Sequence, residues 1–235
     1  MLHCAVTFSA NAGLMIAWHG FRIWIDALHQ EKTRRFSTLT SDMWADLQCN
    51  AALEPPDLIC FTHCHPDHYS KELTAKAHTL WPKALLALPK KDFSDQILLA
   101  GPEHSCKLGN VKITFFPLPH EGSAYAAEPH YGVLLQDGEA RILVAGDCAV
   151  ATPLLAEQLG GKQLDLAILD FPWLTLRRGR DYVESILRPI HLLLCHLPFP
   201  PDDCEGYLKA AQIAAQKSAL QDVRLLTEFL QRECI

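Results

Sequence analysis

Three imidazoles and a carboxylate stand within six residues in the stretch Thr62-His63-Cys64-His65-Pro66-Asp67-His68-Tyr69-Ser70. Neutral imidazole nitrogen and carboxylate oxygen suit zinc and its neighbours, and such a cluster has little use in packing. His63 and His65 can converge on one ion from one side of a tight turn, while Asp67 and His68 face a second. The bland alternative is a polar surface loop rich in histidine. It leaves unexplained four further residues of ligand type, each placed after an apolar run: Asp26 after 23–25, His120 after 111–119, Asp147 after 142–146 and His196 after 191–195. Strand ends are where loops carry chemistry, and Gly146 lets the chain turn sharply before Asp147.

Side chains so far apart in sequence need a rigid frame to bring them together. Leu58-Ile59-Cys60-Phe61 reads as a buried strand feeding the histidine loop. Upstream, the short apolar runs 3–8, 14–18 and 21–25, separated by Asn11-Ala12-Gly13 and His19-Gly20, predict an antiparallel meander ending at Asp26. A short capped helix is expected over 41–47, broken by Glu54-Pro55-Pro56-Asp57, and Ser70 should cap a helix over 70–78. A strand over 84–88 and a helix over 92–100 follow.

Strands are then predicted over 104–108, 111–116, 131–136 and 140–145, with Asp137-Gly138 as a hairpin turn between the last two. A helix over 152–159, a strand over 164–169 and a helix over 181–187 stopped by Pro189 come next. The chain ends with a strand over 190–195, an amphipathic helix over 202–220 and a strand or short helix over 223–229. Two blocks, each of strands followed by helices with no linker between them, predict two packed sheets with helices outside, in a single α/β domain spanning 1–235.

Composition narrows the functional classes. The 235 residues are 49% hydrophobic and 20% charged, as in an ordinary globular chain, and a net charge of -6 argues against binding nucleic acid over the whole surface. The first residues have no basic n-region and no stretch reaches membrane-spanning length, so neither signal peptide nor membrane contact is expected. Nine cysteines without CxxC pairs suit free thiols in a reducing compartment, the cytoplasm by default. The expected partner is a small-molecule substrate, and Trp44 and Trp81 could support a homo-oligomer.

As a set, these residues resemble the metallo-β-lactamase superfamily from about residue 3 to residue 228. The HxHxDH stretch is unbroken as His63, His65, Asp67 and His68, and His120, Asp147, His196 and Asp26 match the later positions. The resemblance implies an αββα four-layer sandwich with a dinuclear site at one edge. His63, His65 and His120 would hold one metal, Asp67, His68 and His196 the other, and Asp147 would bridge them. Asp26 would stand behind the ligands and fix their orientation, unless it is simply a turn aspartate. Pro119-His120-Glu121-Gly122-Ser123 resembles the family's GHTPGS turn with Pro in place of the first Gly. The interval to Asp147 is long, as though residues had been inserted around 124–129. His130 is therefore a rival to His120, or else a strand-edge histidine or substrate contact. Cys64, Cys148 and Cys195 adjoin ligands, but neighbours on an extended segment point the opposite way, and they read as packing residues.

Two divalent ions sharing a carboxylate and a bridging water make hydroxide available near neutral pH, polarise the electrophile and stabilise the leaving oxygen. Asp67 and Asp147 are the expected catalytic carboxylates, with Asp67 orienting the water and accepting its proton. Zinc is the expected metal, and manganese or iron also fits. Tyr69-Ser70 after His68, where glyoxalase-type thioesterases have Gly-Gly, is similar to the branch containing ascorbate-6-phosphate lactonase. Trp173, Arg177, Arg178 and Arg180 fall in a segment expected as a loop near the metals, the arginines gripping phosphate or carboxylate and the tryptophan packing on a ring. The other reading is a solvated turn before a helix capped by Asp181. The expected substrate is thus small and anionic, a lactone or other ester. The competing readings are a phosphodiesterase or nuclease of the same fold, which usually adds a domain or RNA-gripping arm; a flavodiiron-type redox protein, which has an acidic residue at the position of His65; and a metal-binding protein without catalysis, whose mark would be a missing ligand.

Overall fold

The apolar runs at the start of the chain pair as a meander in the structure, a computed structural model that describes residues 2–31, 35–50, 53 and 55–235. Strands β1 (Cys4–Phe8), β2 (Leu14–Trp18) and β3 (Phe21–Ile25) are antiparallel, with Phe8 opposite Leu14 and Ile16 opposite Ile23. Helix α1 (Ser41–Cys49) begins where the Thr40 side chain accepts from the Met43 amide. Of the expected break after it, Glu54 lies outside the described residues. Strand β4 (Leu58–Cys60) then runs parallel to β3 and delivers the histidine loop. Ser70 caps helix α2 (Lys71–Leu80) through Leu73, as expected. Strands β5 (Leu85–Leu88) and β6 (Ile97–Leu98) complete this side in parallel.

The helix expected over 92–100 is not formed. Gln96 Oε1 accepts from the amides of Asp92 and Phe93, and its Nε2 donates to the carbonyl of Lys90. The Gln96 side chain thus closes a local turn over 90–96, and pairing of Ile97–Leu98 with β5 takes the middle of the segment into the sheet.

The second sheet starts with the antiparallel strands β7 (His104–Leu108), β8 (Val111–Pro117), β9 (Tyr131–Gln136) and β10 (Arg141–Val144), the last two joined through Asp137-Gly138. Helix α3 (Pro153–Leu159) leads to β11 (Leu166–Asp170), parallel to β10. Two short helices follow, α4 (Pro172–Thr175) and α5 (Arg177–Tyr182), the second running into a π-helical turn over Val183–Leu187. The segment read from sequence as a loop before a helix at 181 is therefore already helical at Arg177. Strand β12 (His191–Cys195), helix α6 (Tyr207–Lys217) and strand β13 (Val223–Leu225) follow, so the helix expected over 202–220 is shorter than its pattern. The final strand, β14 (Arg232–Cys234), was not anticipated. It leaves the second sheet and pairs with β1 in the first.

The strand orders are β14-β1-β2-β3-β4-β5-β6 and β13-β12-β11-β10-β9-β8-β7. The inner faces meet in one apolar cluster, where Val6, Phe8, Ile16, Ile23 and Leu58 of one sheet pack with Ile113, Phe115, Val133, Ile142 and Ile168 of the other. Each such side chain taken from water contributes roughly 1.5–3 kcal/mol. The outer faces are covered by α1 and α2 on one side and by α3 to α6 on the other. This is the αββα layering expected from the sequence. Among the described residues, no helix is long and apolar enough to cross a membrane.

Candidate metal centre

All seven expected ligands come to one edge of the sandwich, where β3, β4, β10 and β12 end. The chain turns sharply there: Asp26, Gly146 and His196 have φ of 53°, 57° and 57°, the left-handed region. Two of these are not glycine, and such backbone outliers concentrate at functional sites. At Gly146 a side chain could not enter, because a Cβ would lie 2.7 Å from His130 Nε2 and 2.8 Å from Thr62 Oγ1.

Asp147 is the focus of the cluster. Its Oδ1 lies 3.2 Å from His68 Nε2, and its Oδ2 lies 3.4 Å from His196 Nε2, 3.9 Å from His120 Nε2 and 4.0 Å from His63 Nε2. On one side, His63, His65 and His120 bring ligand atoms within 4.8 Å of one another, and on the other Asp67, His68 and His196 do the same. His63 Nε2 faces His65 Nδ1 at 3.1 Å, and His68 Nε2 faces His196 Nε2 at 3.1 Å. Two nitrogens on one tetrahedral ion at about 2.0–2.1 Å would stand roughly 3.3 Å apart.

The ring nitrogens pointing away from the centre decide which ones are free for it. Asp26 Oδ2 accepts from His68 Nδ1 at 2.9 Å and from Thr62 Oγ1 at 2.6 Å, while its Oδ1 accepts from the Thr62 amide at 2.8 Å. The Thr62 hydroxyl, having given its hydrogen to Asp26, accepts from His63 Nδ1 at 3.0 Å. His120 Nδ1 donates to the Glu121 carbonyl at 2.8 Å. With Nδ1 protonated in all three rings, their Nε2 lone pairs point inward. His120 Nε2 is buried with no hydrogen-bond partner among the described residues, and its lone pair is of the kind a cation would satisfy. Asp26, His63 and His68 also lie close together, but both Asp26 oxygens are already engaged. That trio orients ligands; it is not a further site. The imidazole nitrogens and carboxylate oxygens of the two ligand groups therefore fit divalent cations.

The electrostatics agree with ligand duty. Burial holds the His63 imidazole well below the usual histidine range, with His68 adding to the effect, and burial and His120 lower His65. Both are neutral at physiological pH. Burial opposes charge on His68, but Asp147 and Asp26 outweigh it and hold its pKa well above the ordinary value, so a cation bound there displaces a proton. Burial likewise opposes charge on Asp147 and on Asp67. The histidines at 196 and 68 overcome it and keep both carboxyls well below the usual range.

The remaining expected residues divide. His130 is buried 5.2 Å from the His63 ring and 5.6 Å from that of His120, outside both ligand groups. Burial takes its imidazole down to about 3. Arg178 reaches the centre indirectly: its Nη2 donates to Glu121 Oε1 at 2.7 Å, while Glu121 Oε2 accepts from the Val150 amide and the Glu121 amide donates to the Asp147 carbonyl. Arg177 is solvent-exposed and pairs with Asp181 along α5. Arg180 is half-buried, and its guanidinium makes no hydrogen bond or ion pair among the described residues. Trp173 corrects the expectation of a substrate contact, because it is fully buried in the apolar cluster beneath α4 and α5. Gly179 sits between the arginines for packing, since a Cβ there would lie 2.6 Å from the Trp173 carbonyl oxygen. Burial pushes the Cys64 thiol up to about 12 and those of Cys148 and Cys195 well above their usual value, as packing residues require.

Sequence reasoning missed several supports. Asn11 Nδ2 donates to the Asp67 carbonyl at 2.9 Å, and the Asn11 carbonyl accepts from the His196 amide at 2.7 Å. The only signal was a tight Asn-Ala-Gly turn. Asp170, buried at the end of β11, is driven by burial and by Asp147 to a pKa well above the carboxylate range. An acid at a strand end is the signal that singled out Asp26, and it applied here as well.

Comparison with known proteins places this arrangement. The family described as "Beta-lactamase superfamily domain" matches residues 22–217. No curated protein matches the chain. Among solved structures, the metallo-beta-lactamase fold protein YhfI from Bacillus subtilis is similar at TM-score 0.64 and 14% identity, over 100% of both chains. Isothiocyanate hydrolase from Delia radicum gut bacteria is similar at TM-score 0.68 and 14% identity, over 98% of this chain and 99% of that one. CmlA, a diiron beta-hydroxylase from Streptomyces venezuelae, is similar at 0.63 and 13%, over 100% of this chain but 54% of its own. At such identities the likeness is one of fold.

Proposed function

The chain belongs to the beta-lactamase superfamily, and from that premise we propose that it is a dinuclear metal-dependent hydrolase acting on a small ester or lactone. His63, His65 and His120 would hold one cation, and Asp67, His68 and His196 the other, with the Asp147 carboxylate between them. When bound, the pair of divalent ions would supply Lewis acidity and make hydroxide available from water near neutral pH. The observation that carries the reading is the single carboxylate at 3.2–4.0 Å from imidazole nitrogens of both ligand groups.

The chain's own residues supply the rest. Asp67 stays ionised, its backbone pinned by Asn11, with its Oδ2 3.6 Å from His196 Nε2, and its carboxylate would accept a hydrogen bond from the reacting water and orient it. Asp26 and Thr62 hold His63 and His68 in the ligand-ready tautomer. Arg178, beside the His120 turn, is the one arginine of its segment tied to the centre, and an anionic substrate group would compete with Glu121 for it. The lactone part of the reading rests on Tyr69-Ser70 following His68. Zinc is favoured by the histidine-rich set, although CmlA carries iron on the same fold. The phosphodiesterase and redox readings have no observation of this structure in their favour.

The test is reconstitution. Chelator-treated protein is loaded with zinc, manganese or ferrous iron, metal stoichiometry is measured, and carboxyl-ester, lactone, phosphodiester and thioester panels are assayed. Two ions per chain and metal-dependent ester or lactone cleavage are expected. Asp147→Asn should lower stoichiometry and cut kcat at least about a hundredfold, and Arg178→Ala should raise KM for anionic substrates only. Full activity without metal sinks the proposal.

A further inference from the structure

Two aromatic rings flank the ligand cluster at its open edge, and neither belongs to the hydrolytic apparatus. After His120 the chain turns at Gly122 (φ 89°) into a single 3-10 turn, Ser123–Tyr125. The turn is closed by the Tyr125 amide on the Gly122 carbonyl at 3.0 Å and the Glu128 amide on the Tyr125 carbonyl at 2.9 Å. This puts the Tyr125 ring 4.8 Å from the His65 ring and 5.0 Å from that of His120, while half of the residue (50%) stays exposed. Beside the other ligand group, the half-buried Phe36 meets the His196 ring edge-on at 4.2 Å. Phe36 is braced by Tyr207, stacked at 6.1 Å, and Tyr207 in turn lies 4.8 Å from Phe171.

One ring therefore borders the His63–His65–His120 group and another borders the Asp67–His68–His196 group. Partly exposed rings held in fixed orientation offer a planar apolar partner at low entropic cost, and offset or edge contacts are their preferred mode. Arg178, the arginine of its segment tied to this edge, is already engaged by Glu121. The segment around 124–129, an apparent insertion in the sequence, has a use on this view, since it carries Tyr125 to the metal edge.

We propose that Tyr125 and Phe36 are specificity-determining residues that select substrates bearing a planar apolar group, such as an aryl ester or aryl-substituted lactone, next to the hydrolysed bond. This rests on the hydrolase reading above and adds the substrate class. The test uses two metal-binding probes on the zinc-loaded full chain, acetohydroxamic acid and phenylacetohydroxamic acid, which differ only by the phenyl group. Calorimetry should find the phenyl compound bound about tenfold more tightly, the ratio expected for a good aromatic contact. Tyr125→Ala should remove most of that advantage and leave acetohydroxamate affinity within about twofold, while Tyr125→Phe should keep the advantage and Phe36→Leu should reduce it. Equal affinity of the two probes for the parent protein overturns the aromatic selection alone. So does an equal loss for both probes in Tyr125→Ala, because that is what a ring that merely shields His65 would give. Failure of both probes to bind the zinc-loaded chain overturns the metal-centre reading along with it.

Discussion

Thr62 holds more of the centre in place than its size suggests. Its amide and hydroxyl both donate to Asp26, and the hydroxyl oxygen takes the His63 Nδ1 hydrogen. Thr62→Val keeps the shape and the amide bond but cuts the relay. Metal affinity, measured by competition with a chromophoric chelator, is expected to fall about 10–100-fold, the range for losing such a supporting bond. An unchanged affinity would show that the ring needs no relay. Residue identity alone could pick out the ligands, because three imidazoles and a carboxylate in six residues have little other use. It could not choose between His120 and His130, which both adjoin strands of the same sheet. The choice depends on which ring faces His63 and His65, and that is a matter of backbone direction at the ends of β8 and β9.

At the scale of elements, local pattern and tertiary context disagree where short polar stretches carry the signal. The 92–100 segment reads as helical, yet Ile97–Leu98 is drawn into the first sheet beside β5, and the Gln96 side chain closes the turn before it. The arginine segment reads as a loop, yet α4 and α5 form because burying Trp173 and packing Gly179 on its carbonyl anchor them. Trp173→Ala should accordingly cost about 3–5 kcal/mol of stability, as large core truncations do, with little change in KM. Denaturant midpoints read beside substrate titrations decide the matter. A raised KM at unchanged stability would return Trp173 to the substrate pocket.

For the whole molecule, the buried histidines link stability to acidity. His29, with its Nε2 on the Ala10 carbonyl at 3.1 Å, is lowered by burial to about 4. Its folded value lies below the unfolded one of about 6.5, so the unfolded chain binds the extra proton in between. The contribution to stability is complete above about pH 6.5 and is lost as pH falls toward the folded value. Over the interval from 6.5 to 5 that amounts to roughly 2 kcal/mol at 1.36 kcal/mol per pH unit. Urea unfolding of metal-free protein at pH 7 and pH 5 should show His29→Gln losing about that much less than the parent. Matching losses in the two proteins would rule His29 out as a source of acid sensitivity.

Composition, the period of the apolar runs and the crowding of ligand residues after them were enough to determine the layered α/β architecture and six of the residues that gather at one edge, with His120 and His130 left as rivals for the seventh place. Those signals are local, or depend only on which strand a residue terminates. Only the tertiary structure decided that β14 crosses back to pair with β1, that Asn11 braces Asp67 and His196, that Trp173 faces inward, and that Tyr125 and Phe36 flank the metal edge. Each of these is a contact between segments remote in sequence, formed by residues of ordinary type, and no pattern along the chain marks such a residue until packing has chosen its neighbour.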